Sequence, residues 1–292
     1  MNLPVPEITL IQECFAENPN LEIRMLRLDM IHPVLNGNKG YKLKYNIRAF
    51  QESDKQCIVS FGGAYSNHLA ALAGAGKLYG IPTIGIIRGE EQLPLNLTLS
   101  LAASNGMELH YVSRTIYRDK NRLNAWAETK FGKQAFFLPE GGSNELAVKG
   151  CMEILDNVSY MPDFICCPCG TGATIAGIAS SQKGKGKTIG FSALKDISFF
   201  EDTLESFAGK QVAQETAIIG DYHFGGYAKV NQNLTRFTDD FLSKQKVQLD
   251  YIYTAKMMYG IYDLVRKGYF KPGTKILAVH TGGVQGNADF VK

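Results

Sequence analysis

The chain has 292 residues with 45% hydrophobic side chains, enough to build one large or two medium lobes around an adequate core. Its 31 basic and 28 acidic side chains leave a formal net charge of +3, too little for the strong field that draws a protein to nucleic acid or to an anionic membrane. Six cysteines are too few for a disulfide scaffold, and the five histidines are too scattered to pair with Cys166 and Cys169 as a metal site, so buried thiols at a strand end are the expectation. The run Lys183-Gly184-Lys185-Gly186-Lys187 is glycine-interleaved and free of aromatics, which reads as a solvated loop. The first residues lack a basic segment followed by an apolar one, and no later stretch approaches a membrane span, so a cytoplasmic location is expected.

In chain order, a short helix-like stretch after residue 7 precedes Leu21 to Asp29, whose alternation is that of a half-buried strand. Gly37-Asn38-Lys39-Gly40-Tyr41-Lys42-Leu43 then opens an amphipathic run to Phe50. Cys57 to Phe61 reads as a strand, Gly62 to His68 as a polar turn, and the alanine-rich Leu69 to Tyr79 as a helix stopped by Gly80-Ile81-Pro82. The alternation continues with strands at Thr83 to Arg88, Met107 to Val112 and Ala135 to Leu138, and helices at Leu95 to Ser104 and Asn121 to Phe131. Pro139-Glu140-Gly141-Gly142-Ser143-Asn144 breaks the rhythm and caps a helix to Leu155. A second series follows: strand Phe164 to Cys167, helix Ala173 to Ser181, strand Thr188 to Ser192, helix Phe199 to Phe207 and strand Thr216 to Ile219. Two helices around Asn231 to Lys244 and Ala255 to Lys267 then lead to a last strand, Lys275 to His280. Strands alternating with helices imply an α/β fold, mainly parallel sheets with helices on both faces. Residues 1–52 and 156–292 are expected to form a large cofactor-binding domain, with 53–155 as a small domain inserted between them.

Lys39 is the first chemical candidate. Gly37 has no side chain to clash and Asn38 tolerates turn geometry, so the lysine can be held against other backbone, where desolvation lowers its pKa and lets it form a Schiff base with a carbonyl. A helix-entry turn with ordinary surface lysines is the alternative. Cys169-Gly170-Thr171-Gly172-Ala173-Thr174 lies after a strand and opens a helix, where free N–H groups and the helix dipole suit a phosphate. A dinucleotide is the rival guest, but the third glycine falls at Gly177, off the G-x-G-x-x-G position, and Phe191-Ser192-Ala193 supplies no acid for a ribose. Ser66-Asn67-His68 occupies a similar turn, where N–H groups can receive a substrate carboxylate and Asn67 can bond a cofactor oxygen; a plain helix N-cap is compatible with that role. A lysine, a phosphate turn and a carboxylate turn together point to pyridoxal 5′-phosphate acting on an amino acid.

Six motifs then carry a resemblance. Gly-Asn-Lys-x-x-Lys-Leu at 37 to 43, Gly-Gly-x-x-Ser-Asn-His at 62 to 68, Pro-x-Gly-Gly-Ser-Asn at 139 to 144, Gly-Thr-Gly-x-Thr at 170 to 174, Tyr-Thr-x-Lys at 253 to 256 and His-Thr-Gly-Gly at 280 to 283 stand in family order. The chain resembles the 1-aminocyclopropane-1-carboxylate deaminase and D-cysteine desulfhydrase family, a branch of the two-lobed, tryptophan-synthase β-type (fold type II) pyridoxal enzymes. The resemblance implies that Lys39 bonds the cofactor, that Asn67 holds its ring oxygen, and that Gly170, Thr171, Gly172, Ala173 and Thr174 cup its phosphate. It further implies Ser66, Asn67 and His68 at the substrate, with Ser66, Tyr227 and Tyr253 joining the chemistry, no metal, and a homodimer.

Thr254 and Thr281 bear on the reaction. Ring-opening deaminases of the family have Glu and Leu at these positions, whereas its desulfhydrases have hydroxyl residues. A carboxylate near the pyridine nitrogen keeps it protonated and a neutral hydroxyl does not, so the resemblance implies β-elimination from a small amino acid, D-cysteine giving pyruvate, sulfide and ammonia. The alternatives are deamination of 1-aminocyclopropane-1-carboxylate to 2-oxobutyrate and ammonia, and a non-catalytic cofactor-binding homologue. Tyr41, Tyr65 and Ala70 replace the family's usual Arg, Gln and Arg.

Overall fold

The computed structural model describes residues 1, 3–182, 184 and 186–290; Lys183 and Lys185 of the basic run lie outside the described residues. The chain begins with β1 (Glu7–Ile11), β2 (Glu22–Arg27) and α1 (Asn38–Gln51). It continues through β3 (Cys57–Gly62), α2 (Asn67–Tyr79), β4 (Thr83–Arg88), α3 (Leu97–Ser104), β5 (Glu108–Val112), α4 (Arg114–Arg118), α5 (Lys120–Phe131), β6 (Ala135–Leu138) and α6 (Glu145–Cys151). Then come β7 (Phe164–Cys169), α7 (Ala173–Ser181), β8 (Lys187–Ser192), α8 (Phe200–Ala208), α9 (Lys210–Glu215), β9 (Ala217–Ile219), α10 (Gln232–Gln245), α11 (Thr254–Arg266) and β10 (Lys275–His280).

The described strands form two sheets. One is six-stranded in the order β1-β2-β10-β7-β8-β9; the other is four-stranded, β5-β4-β3-β6, and wholly parallel. In the larger sheet only β1 runs antiparallel to its neighbour, β2. Central strands such as β10, with Ile276, Leu277, Ala278 and Val279 all buried, are apolar on both faces because helices cover both sides. Cys166, Cys167 and Cys169 are buried in β7 as expected for thiols at a strand end. Among the described residues no helix is long and apolar enough to cross a membrane.

The segment after residue 7 is a strand and not the helix-like stretch its sequence suggested. Five residues containing the β-branched Ile8, Thr9 and Ile11 are too short to sustain a helix alone, and pairing Ile8 with Leu26 and Ile11 with Ile23 satisfies their backbone and buries Ile11. The helices α4 and α9 also went unread, being only five and six residues long and mostly exposed.

α1 is held against α6 at very close range. A Cβ on Gly150 would lie 2.0 Å from the Tyr41 carbonyl oxygen, so the two helices meet backbone to backbone and fix α1, whose first turn carries Lys39. Gly150→Ala is therefore expected to lower unfolding free energy by about 2–3 kcal/mol in a denaturant titration, the upper range for overpacking, because the obstructing atom is backbone. A loss below about 0.5 kcal/mol would mean that the helices can separate freely.

Candidate active site

A cleft of about 410 Å³ opens at the C-terminal ends of β3 and β7, between the two sheets. Lys39 reaches it from the first turn of α1. Gly37 makes this possible: its φ is +66°, and a Cβ there would lie 2.0 Å from the Thr281 carbonyl oxygen, which accepts a hydrogen bond from the Asn38 N–H at 3.3 Å. The Asn38 side chain donates from Nδ2 to Thr174 Oγ1 at 2.7 Å and accepts at Oδ1 from Lys39 Nζ at 2.6 Å. Lys39 is half-buried as a whole, since it lines the cleft, but its ammonium is desolvated. Burial, and secondarily the charge of Lys42, lowers its pKa to about 7.

Lys42, one helical turn on, is buried and donates to the Gly141 carbonyl and Ser143 Oγ, each at 2.9 Å, and to Thr171 Oγ1 at 3.3 Å. Burial lowers its pKa to about 8. It brings positive charge to the turn from Gly170 to Thr174. That turn ends at Gly172, which caps α7 without any side-chain acceptor, whereas Ser66 caps α2, Asn144 caps α6 and Asn231 caps α10 through side-chain oxygens. The first N–H groups of α7 are thus left for another acceptor, with a lysine and two threonine hydroxyls beside them.

On the opposite wall, Ser66 Oγ accepts from the Leu69 N–H at 3.3 Å. The backbone N–H groups of Asn67 and His68, the first residues of α2, have no intrahelical acceptor. Gln285 donates to Asn67 Oδ1 at 2.9 Å, which leaves Asn67 Nδ2 free as a donor. The His68 ring is committed elsewhere. Ser60 Oγ gives its proton to the Leu138 carbonyl at 2.8 Å, so His68 Nε2, 2.8 Å from that oxygen, is the donor. Burial, with Lys42 and Lys39 nearby, holds the imidazole pKa well below its usual value and keeps it neutral.

Tyr227 and Tyr253 meet edge to face at 6.2 Å between ring centres and both line the cleft. The Tyr227 hydroxyl donates to the Tyr65 carbonyl at 3.1 Å. Burial raises both phenol pKa values, so each hydroxyl stays protonated near neutral pH. Tyr227 sits in a turn with positive φ at Phe224, Gly225, Gly226 and Ala228, and buried Lys256 pins that turn by donating to the His223 and Gly226 carbonyls at 2.9 and 2.8 Å. Thr281 lines the cleft. Thr254 does not: it is fully buried, and its hydroxyl gives its proton to Asp250 Oδ1 at 2.6 Å. The other Asp250 oxygen accepts from the Ile252 and Tyr253 N–H groups at 3.1 and 2.9 Å, which shapes the entry to α11.

The substitutions relative to the family pattern lie apart from one another. Tyr41 is buried between α1 and α6, Ala70 is buried in α2, and only Tyr65 approaches the site, through its carbonyl. Sequence reasoning missed Gln285, Asp250 and the anchoring roles of Lys42 and Lys256. The two lysines stood inside quoted motifs, but nothing in their spacing marked them as buried cations.

The donor set suits a ligand bearing an aldehyde, a phosphate and a hydrogen-bonding ring oxygen: a lysine whose pKa is lowered to about 7, an uncapped helix start beside a cation, and the Asn67 amide. This is the chemistry of pyridoxal 5′-phosphate. A relative in Arabidopsis thaliana, named bifunctional D-cysteine desulfhydrase/1-aminocyclopropane-1-carboxylate deaminase, mitochondrial, is 30% identical over 92% of this chain and 74% of its own. A putative 1-aminocyclopropane-1-carboxylate deaminase of Pyrococcus horikoshii is 24% identical over 91% of this chain and 85% of its own. A crystal structure of an ACC deaminase homologue superimposes with a TM-score of 0.80 over 96% of this chain and 90% of that one, at 22% identity, so the likeness is one of fold. The family model described as pyridoxal-phosphate dependent enzyme matches residues 13–282. The chain therefore belongs to the pyridoxal-phosphate dependent enzymes and takes that cofactor.

Proposed function

We propose that the protein catalyses β-elimination from a small amino acid, with D-cysteine giving pyruvate, sulfide and ammonia. The carrying observation is Thr281, which lines the cleft with a neutral side chain; Thr254, buried and bonded to Asp250, brings no carboxylate to it. Bound pyridoxal phosphate supplies an aldehyde that bonds the substrate amine and a ring that draws electron density from the α-carbon. Lys39, with a pKa about 7, is suited both to attach the cofactor and to hold the α-proton. Ser66 and the free N–H groups of Asn67 and His68 receive the substrate carboxylate, and Asn67 Nδ2 serves the ring oxygen. The protonated Tyr253 acts as a hydrogen-bond donor to the departing group, and Tyr227, whose hydroxyl is given to the Tyr65 carbonyl, packs edge to face against it and positions it. The turn Gly170-Thr171-Gly172-Ala173-Thr174, with Lys42, holds the phosphate. The two separate sheets support a division into 1–52 with 156–292 and an inserted 53–155, and the family resemblance supports a homodimer.

Attachment of the cofactor needs the unprotonated amine. Below its pKa Lys39 is mostly ammonium, so the rate of covalent attachment to cofactor-free protein, followed by absorbance, is expected to rise about tenfold per pH unit and to level off above about pH 7. A rate still climbing at about pH 9 would return Lys39 to ordinary lysine behaviour.

Lys42→Met is expected to weaken binding of pyridoxal 5′-phosphate by about tenfold or more while leaving pyridoxal nearly unchanged, since it removes a charge-assisted partner of the phosphate. Equal losses for the two ligands would assign Lys42 to the fold alone.

Incubation with D-cysteine and, separately, 1-aminocyclopropane-1-carboxylate tests the reaction. Sulfide release is expected to exceed 2-oxobutyrate formation, and Thr254→Glu with Thr281→Leu is expected to lower it. A wild type faster on the cyclopropane substrate would establish the ring-opening reading instead.

A further inference from the structure

β4 ends in Arg88 beside the end of β3, with Ile87 paired to Gly62, and residues at these strand ends line the cleft. The Arg88 side chain is exposed but directed along the cleft wall: its Nη2 lies 3.7 Å from where a Cβ on Gly63 would be, and its guanidinium sits 5.9 Å from the centre of the Tyr117 ring. Its charge also bears on Tyr227, lowering a phenol pKa that burial raises. Arg24, Arg27 and Arg48 each pair with a nearby carboxylate. The Arg88 side chain has no hydrogen bond or ion pair among the described residues, and the acid that shares the rim, Glu140, is held by Lys120 at 2.9 Å.

The other anions of the reaction already have receptors. The cofactor phosphate faces the start of α7 and Lys42, and the α-carboxylate faces the start of α2. Arg88 is a cation beyond these needs, and it lines the same cleft as Ser66, Asn67 and the two tyrosines. A guanidinium presents a planar fork of N–H groups that matches the paired oxygens of a carboxylate, sulfonate or phosphate. We propose that Arg88 binds a second anionic group of the substrate, so that amino acids whose side chain carries an acidic group on or beyond the β-carbon bind more tightly than those with a neutral one, D-cysteine included. This rests on the assignment of the cleft to an amino-acid substrate and narrows that substrate to a class.

Calorimetric titration of the borohydride-reduced holoenzyme, whose cofactor is fixed to the protein and cannot bond a substrate amine, with cysteate and with alanine, both enantiomers of each, measures binding without elimination of the sulfonate. Wild type should bind cysteate more tightly than alanine. Arg88→Gln should weaken cysteate by about tenfold, the worth of a charge-assisted hydrogen bond, and change alanine by less than about twofold. Arg88→Lys, which keeps the charge, should recover much of the loss. Equal weakening of both ligands would give the guanidinium to the α-carboxylate and overturn the proposal, as would an unchanged cysteate affinity or a wild type without preference. Failure of β-elimination would instead show as missing pyruvate, a separate measurement that leaves these affinities intact.

Discussion

The site depends on one close approach between distant parts of the chain: the Gly37 backbone lies directly on the Thr281 carbonyl, in space that a Cβ would occupy at 2.0 Å. Through it the first turn of α1 docks on the turn after β10, and the same turn is braced from the other side by α6 against the Tyr41 carbonyl. Lys39 is thus carried on a helix held at both ends of its first two turns. A flexible loop could bring an amine to the cleft as well, but it would not keep that amine desolvated.

Three lysines are buried around the cleft, and their surroundings divide the labour among them. Among the described residues Lys39 Nζ bonds only the Asn38 amide oxygen, and burial takes its pKa to about 7. Lys42 and Lys256 are each saturated by carbonyl or hydroxyl oxygens, and burial takes each to about 8. Lys42 ties α1 to the Gly141 turn, and Lys256 ties α11 to the strained turn that carries Tyr227. The amine that faces the cleft with the fewest partners is the one free to react; the two held by several oxygens serve as cross-links between elements.

Thr254 illustrates how a residue can be correctly singled out and still act indirectly. Its hydroxyl closes a ring with Asp250, whose second oxygen holds the Ile252 and Tyr253 N–H groups, so Thr254 shapes the turn that aims Tyr253 into the cleft. Thr281 alone of the pair faces the ligand space. Asp250 could not have been chosen from among the acidic side chains, because its importance lies in four convergent donors that come together only when the turn folds.

Local chemistry was legible in the sequence. Apolar runs of strand length, glycine-rich turns after them and alanine-rich helices predicted the parallel α/β fold, and the Gly-Asn-Lys, Ser-Asn-His and Gly-Thr-Gly turns predicted the cofactor, because each is a property of neighbouring residues. The antiparallel edge strand β1 was not legible, since five residues choose strand over helix only when β2 offers its edge. Nor were the partners of Asn67 and Tyr227, Gln285 and the Tyr65 carbonyl, which come from across the fold. Sequence determines which groups can react and where the chain must turn; tertiary packing decides which of them are stripped of water and which face the ligand, because desolvation and hydrogen-bond geometry are set by atoms far apart in the chain.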